Sequence, residues 1–66
     1  MEAALKEAIQ RIGGYGATGR ALGIAWQSVQ RWPIAPVRRV LALEKFSGVS
    51  RHRLRPDIYP VDKAAE

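Results

Sequence analysis

Glycine and proline divide this 66-residue chain into pieces too short for anything but helices of two or three turns. Gly13-Gly14, Gly23 and Gly48 separate stretches with apolar periodicity, and Pro33, Pro36, Pro56 and Pro60 prevent a helix from running through them. Before the first break, Leu5, Ala8, Ile9 and Ile12 recur at helical spacing, so the chain from Glu2 to Ile12 reads as a helix. Tyr15 to Leu22 reads as a second helix, with Ala17, Ala21 and Leu22 as its apolar positions and Gly19 in its middle. A mid-helix glycine costs about 1 kcal/mol against alanine, so a packing reason is expected: the close approach of another helix. Gly23 is a C-cap candidate at positive φ, and Ile24 beside it is expected in the core. Trp26 to Trp32 reads as a third helix, with Val29 and Trp32 inward and Gln27, Gln30 and Arg31 elsewhere. A fourth helix starts near Pro36, carries Val37, Val40, Leu41, Leu43 and Phe46, and closes at Gly48. The stretch from Val49 to Leu54 is either a short fifth helix capped by Ser50 or an extended segment pinned by Val49 and Leu54. The expectation is an all-α domain of four to five helices over residues 1–60, with a flexible tail at 61–66.

Size and composition exclude most function classes. A chain of this length buries only about 60% of its unfolded surface, which leaves one modest core and no deep catalytic cavity. The sequence has no cysteine and one histidine, so disulfides, thiolate nucleophiles and zinc fingers are ruled out within it. His52 reads as an exposed or edge-packed residue near a helix end, with a phosphate-facing donor as the alternative. The six carboxylates are scattered and form no obvious acid/base pair. Gly13-Gly14-Tyr15-Gly16 lacks the preceding strand and the Gly-Lys-Ser/Thr ending of a phosphate loop. No enzymatic activity, metal or cofactor is therefore expected. No apolar run approaches the roughly 18 residues of a membrane span, and Met1 to Ala8 lacks the features of a signal peptide. A cytoplasmic location without a membrane partner is the expectation.

The net charge of +5 is unevenly spread. Residues 1–10 set Lys6 against Glu2 and Glu7, for −1, and residues 56–66 set Lys63 against Asp57, Asp62 and Glu66, for −2. Residues 11–55 hold all eight arginines and Lys45 against Glu44 alone, for +8. Arginine's planar fork suits phosphates and base edges, so this middle segment favours nucleic acid over a membrane surface or an acidic protein.

The two short helices around Gly23 carry the sharpest signal. A helix-turn-helix packs two helices steeply through a tight turn, which calls for a small residue in the first, a glycine at the turn and apolar residues inward on the second. Gly19, Gly23, Val29 and Trp32 fill those roles. The run TGRALGIAWQSVQRW resembles the helix-turn-helix of Cro and related phage repressors. Together with RRVLALEKFSG and LRPDIYP it resembles the Cro/YdaS-type regulators of phages and prophages, over roughly residues 4–60.

That resemblance implies a lambda-repressor-like domain whose recognition helix, 26–32, enters the major groove of a palindromic double-stranded DNA operator. Carried over by position, Tyr15 stands where the second helix meets the DNA backbone, and Ala25 takes the N-cap usually filled by Ser or Thr. Trp26, Gln27 and Ser28 open the recognition helix, Gln30 and Arg31 extend its outer surface, and Arg20, Arg38 and Arg39 resemble phosphate clamps. Thr18 departs from the larger apolar residue usual there, and Trp26 from a small or polar one. Trp26 therefore has three readings: wedged against the preceding helix, contacting a thymine methyl or sugar, or covering apolar surface at an interface. Arg51, Arg53 and Arg55 divide evenly between phosphate contact and solvent, with Arg55 also able to pair with Asp57 or Glu44. Ile58 and Tyr59 are placed at a weak, DNA-dependent homodimer contact. The competing reading is an antitoxin-like protein-interaction module that binds a toxin or another acidic protein through Trp26, Phe46 and Tyr59.

Overall fold

A computed structural model describes residues 1–60; the tail expected at 61–66 lies outside the described residues. Over these residues the chain is all-helical, without strands: α1 (Ala3–Ile12), α2 (Tyr15–Leu22), α3 (Trp26–Gln30), a 3₁₀ turn (Val37–Arg39) leading into α4 (Val40–Ser47), and α5 (Arg51–Leu54). Glu2 caps α1 rather than beginning it. Its carboxylate accepts from the amide of Ala4 at 2.7 and 2.9 Å and from that of Leu5 at 3.2 Å, so the free amides of the first turn have a partner. Its own amide donates to the Pro33 carbonyl at 2.8 Å, tying the start of α1 to the loop after α3.

Helix α2 ends at Gly23, where φ is +72°, and the Ile24 amide reaches back to the Gly19 carbonyl at 2.9 Å. A Cβ on Gly19 would lie 2.7 Å from the Ile24 carbonyl oxygen and 3.1 Å from the Trp26 nitrogen. The close approach expected at Gly19 is therefore made by the turn and by the first residue of α3. On α2 the inward position belongs to Thr18, while Ala21 is exposed, contrary to expectation. Thr18 is fully buried at no cost in hydrogen bonding, because its hydroxyl donates to the Gly14 carbonyl at 2.8 Å.

Helix α3 stops at Gln30, two residues short of the expected end. Pro33 disfavours helical geometry at the residue before it, so the chain leaves through a turn in which the Trp32 amide still reaches the Val29 carbonyl at 3.2 Å. Val29 is fully buried, whereas Trp32 is half-buried and packs on the rim of the core. The apolar set expected on α4 divides as well. Val40 and Leu43 share the inward face and are fully buried, but Val37, Leu41 and Phe46 fall outside that face and are about half exposed.

Leu5, Ala8 and Ile9 of α1 meet Val29, Ala35, Val40, Leu43, Val49 and Leu54 in one core, with Ile24 packed at its edge. Ser50 caps α5, which is the helical alternative of the two. The carboxylate of Glu44 accepts from the Arg51 amide at 2.7 Å and joins α4 to α5. With Glu44 so used, Arg55 pairs with Asp57 through two bonds of 3.0 and 2.8 Å. The same side chain, only 15% exposed, also donates from its guanidinium to the Ala35 carbonyl at 2.9 Å and clips the segment after α5 to the loop before α4.

Candidate nucleic-acid interface

The turn from Gly23 to Ala25 holds α3 against α2 and buries Val29, which leaves the rest of α3 facing outward. Trp26, Gln27, Ser28, Gln30 and Arg31 are all exposed. Ala25 stands at the N-cap, in extended geometry and without a side-chain hydrogen bond, so the first amides of α3 have no side-chain cap.

The eight arginines fall into two groups. Arg53 and Arg11 both pair with Glu7, at 2.7 and 3.0 Å, Arg55 pairs with Asp57, and the Arg51 guanidinium lies 5.8 Å from the centre of the Tyr59 ring. The hydrogen bond from Arg53, reinforced by the nearby charge of Arg11, holds the Glu7 carboxyl below its ordinary pKa. Arg55 does the same for Asp57. Arg20, Arg31, Arg38 and Arg39 have no ion pair or side-chain hydrogen bond among the described residues. All four belong to α2, the end of α3 or the 3₁₀ turn that follows.

Three of the residues expected at a DNA surface converge. Ser28, Arg38 and Arg39 line one pocket of about 290 Å³ whose apolar lining is Ile24, Trp32, Pro36 and Val37. Arg20 extends back along α2, its guanidinium 3.6 Å from where a Cβ on Gly16 would be. Tyr15, partly exposed, borders a different and smaller pocket with Met1, Lys6, Ile9, Gln10 and Gly14. Ile58 is 38% exposed. Tyr59 is half-buried against the core, and its carbonyl accepts from His52 Nδ1 at 2.8 Å, so His52 is edge-packed, one of the two environments expected of it.

The family model described as bacterial toxin YdaS matches residues 5–62. The chain belongs to the YdaS family. Comparison with curated proteins and with solved structures returns no match. The YdaS match begins at Leu5 within α1 and runs past the Arg55–Asp57 pair, so it covers the outward face of α3 together with the four arginines that have no ion pair among the described residues. Among the described residues no group of histidine and acidic side chains is arranged to hold a metal, and no helix is long and apolar enough to cross a membrane. Sequence reasoning missed two features of this YdaS chain. The apolar lining of the pocket beside Ser28 gave no signal, because Val37 read as core. The Ala35 carbonyl that anchors Arg55 gave none because every residue has one.

Proposed function

We propose that this chain binds double-stranded DNA sequence-specifically as a Cro-like repressor, with residues 1–60 as the binding unit and α3 in the major groove. The observation that carries the reading is the segregation of arginines. The acids of α1 and of the segment after α5 take up Arg11, Arg53 and Arg55, while Arg20, Arg31, Arg38 and Arg39 meet no acid among the described residues and lie beside an exposed polar helix. Gln27, with an amide suited to adenine N6/N7, and Arg31, suited to guanine O6/N7, are the base readers. Ser28 and Gln30 support them, and Tyr15, Arg20, Arg38 and Arg39 hold phosphates. One five-residue helix reads too short a sequence to select a site, so two copies occupy a palindrome with recognition helices about 34 Å apart. Ile58 and the accessible edge of Tyr59 form the contact between copies. It is weak in free protein and strengthened on DNA, where tethering raises the effective concentration. Repression follows from steric exclusion of polymerase, and the bound protein is nucleoid-associated.

The test is titration of wild type, Gln27→Ala and Arg31→Ala against a duplex selected from a random pool and against its scrambled form. Each variant is expected to lose about 1–3 kcal/mol on the selected duplex alone. Arg38→Ala should weaken both duplexes and lower the salt slope by about one. Absence of any salt-dependent duplex binding would overturn the reading.

The family description favours a second reading, in which the chain works in a toxin–antitoxin setting and binds a protein partner. The half-exposed Leu41 and Phe46 of α4 would anchor that partner. Tight binding to a protein encoded nearby, without duplex binding, would select it.

A further inference from the structure

Trp26 presents the largest side chain on the outward face of α3. Its backbone is fixed by close packing, since Gly19 leaves room for the Trp26 nitrogen and Cα at 3.1 and 3.2 Å from a Cβ position that glycine leaves empty. What wedges against α2 is therefore the main chain of Trp26. Trp26 as a whole is 46% exposed, stands outside the core and lines neither of the pockets described above. A large apolar surface is thus held at the first residue of α3, immediately before Gln27.

On a recognition helix, the N-terminal residues are the ones that meet base edges. An indole brings a flat apolar face, one N–H donor and no acceptor, so it cannot make the paired hydrogen bonds by which arginine or glutamine reads a purine. In the major groove the base edges present acceptors, amino donors and a single apolar group, the 5-methyl of thymine. We infer that Trp26 is a specificity-determining residue that selects thymine by covering its 5-methyl group. The inference rests on the proposed placement of α3 in the major groove and adds to it the identity of one base.

The experiment separates the two. The full chain is first used to select duplexes from a random pool, and enrichment of a consensus tests the placement of α3 by itself. Each thymine of that consensus is then replaced singly by deoxyuridine, which removes only the methyl group. Wild type is expected to lose about three- to fivefold in affinity at one thymine of each half-site, the size expected for one methyl group kept from water. Trp26→Ala should bind the thymine and deoxyuridine duplexes equally, and Trp26→Leu should keep part of the discrimination. Thermal melts establish that both variants are folded. A consensus without a deoxyuridine-sensitive position, or a deoxyuridine penalty unchanged in Trp26→Ala, would overturn the inference while leaving the placement of α3 standing. Failure of any consensus to enrich would overturn the placement, and the inference with it.

Discussion

A methyl group added at Gly19 would sit 2.7 Å from the Ile24 carbonyl oxygen, and backbone cannot move aside as the end of a side chain can. Intrinsic helix propensity would reward Gly19→Ala by about 1 kcal/mol. Overpacking of this kind costs about 1–3 kcal/mol, and because the first contact is with main chain the upper part of that range applies. A net loss of about 1–2 kcal/mol is therefore expected, read as a melting temperature lower by several degrees. A more stable Gly19→Ala variant would mean that α3 does not approach α2 this closely. Trp32 shows the opposite relation between sequence and surroundings: an indole expected inside is half-buried, because the helix that would have carried it inward ends before Pro33.

At the scale of elements, α3 stands out. Five residues make too little helix to persist alone, since nucleation is unfavourable and few bonds follow it. Its conformation comes from its surroundings: the Gly23 cap of α2, burial of Val29, and the Glu2–Pro33 and Arg55–Ala35 hydrogen bonds that fix the chain beyond it. Ala25 is the weak point, an N-cap whose side chain can accept nothing. Ala25→Ser is expected to raise stability by about 0.5–2 kcal/mol in thermal or urea unfolding, since a serine oxygen at that position can accept from the amides of the first turn. An unchanged midpoint would show that those amides are already satisfied by solvent. Helix α1 illustrates the remedy, for there Glu2 supplies the acceptor that α3 lacks.

Over the whole molecule, acids and arginines are sorted. Glu7 takes two hydrogen bonds from Arg53 of α5 and an ion pair from Arg11 of its own helix, and Asp57 takes two bonds from Arg55. Both carboxyls titrate below their ordinary values of 4.5 and 3.8, so the folded state holds their protons less tightly than the unfolded chain does. The stability these pairs contribute is present above the unfolded pKa and is lost as the pH falls through the folded one. The melting temperature is expected to be nearly flat from about pH 7 to about pH 5 and to fall below about pH 4. Glu7→Gln should flatten that acid limb. An identical limb in parent and variant would show that water screens the Glu7 pairs, which are exposed enough for screening to matter.

The sequence by itself determined where α1, α2 and α4 stop, because the glycines at 13, 23 and 48 act through their own backbone chemistry and need no distant partner. It also determined which small residue lets α2 and α3 meet, and that α3 begins after Ala25. It determined the inward set where apolar residues recur at regular spacing, as in Leu5, Ala8 and Ile9. Tertiary structure decided the rest. Whether Leu41 and Phe46 are covered depends on which face of α4 the other helices occupy, and Val40 and Leu43 alone fix that. Which arginines are free depends on where distant acids come to lie. Arg53 meets Glu7 across 46 positions of chain, whereas Arg31 and Arg38 meet no acid among the described residues. Contacts over such separations come from packing of the whole chain, which local periodicity does not encode.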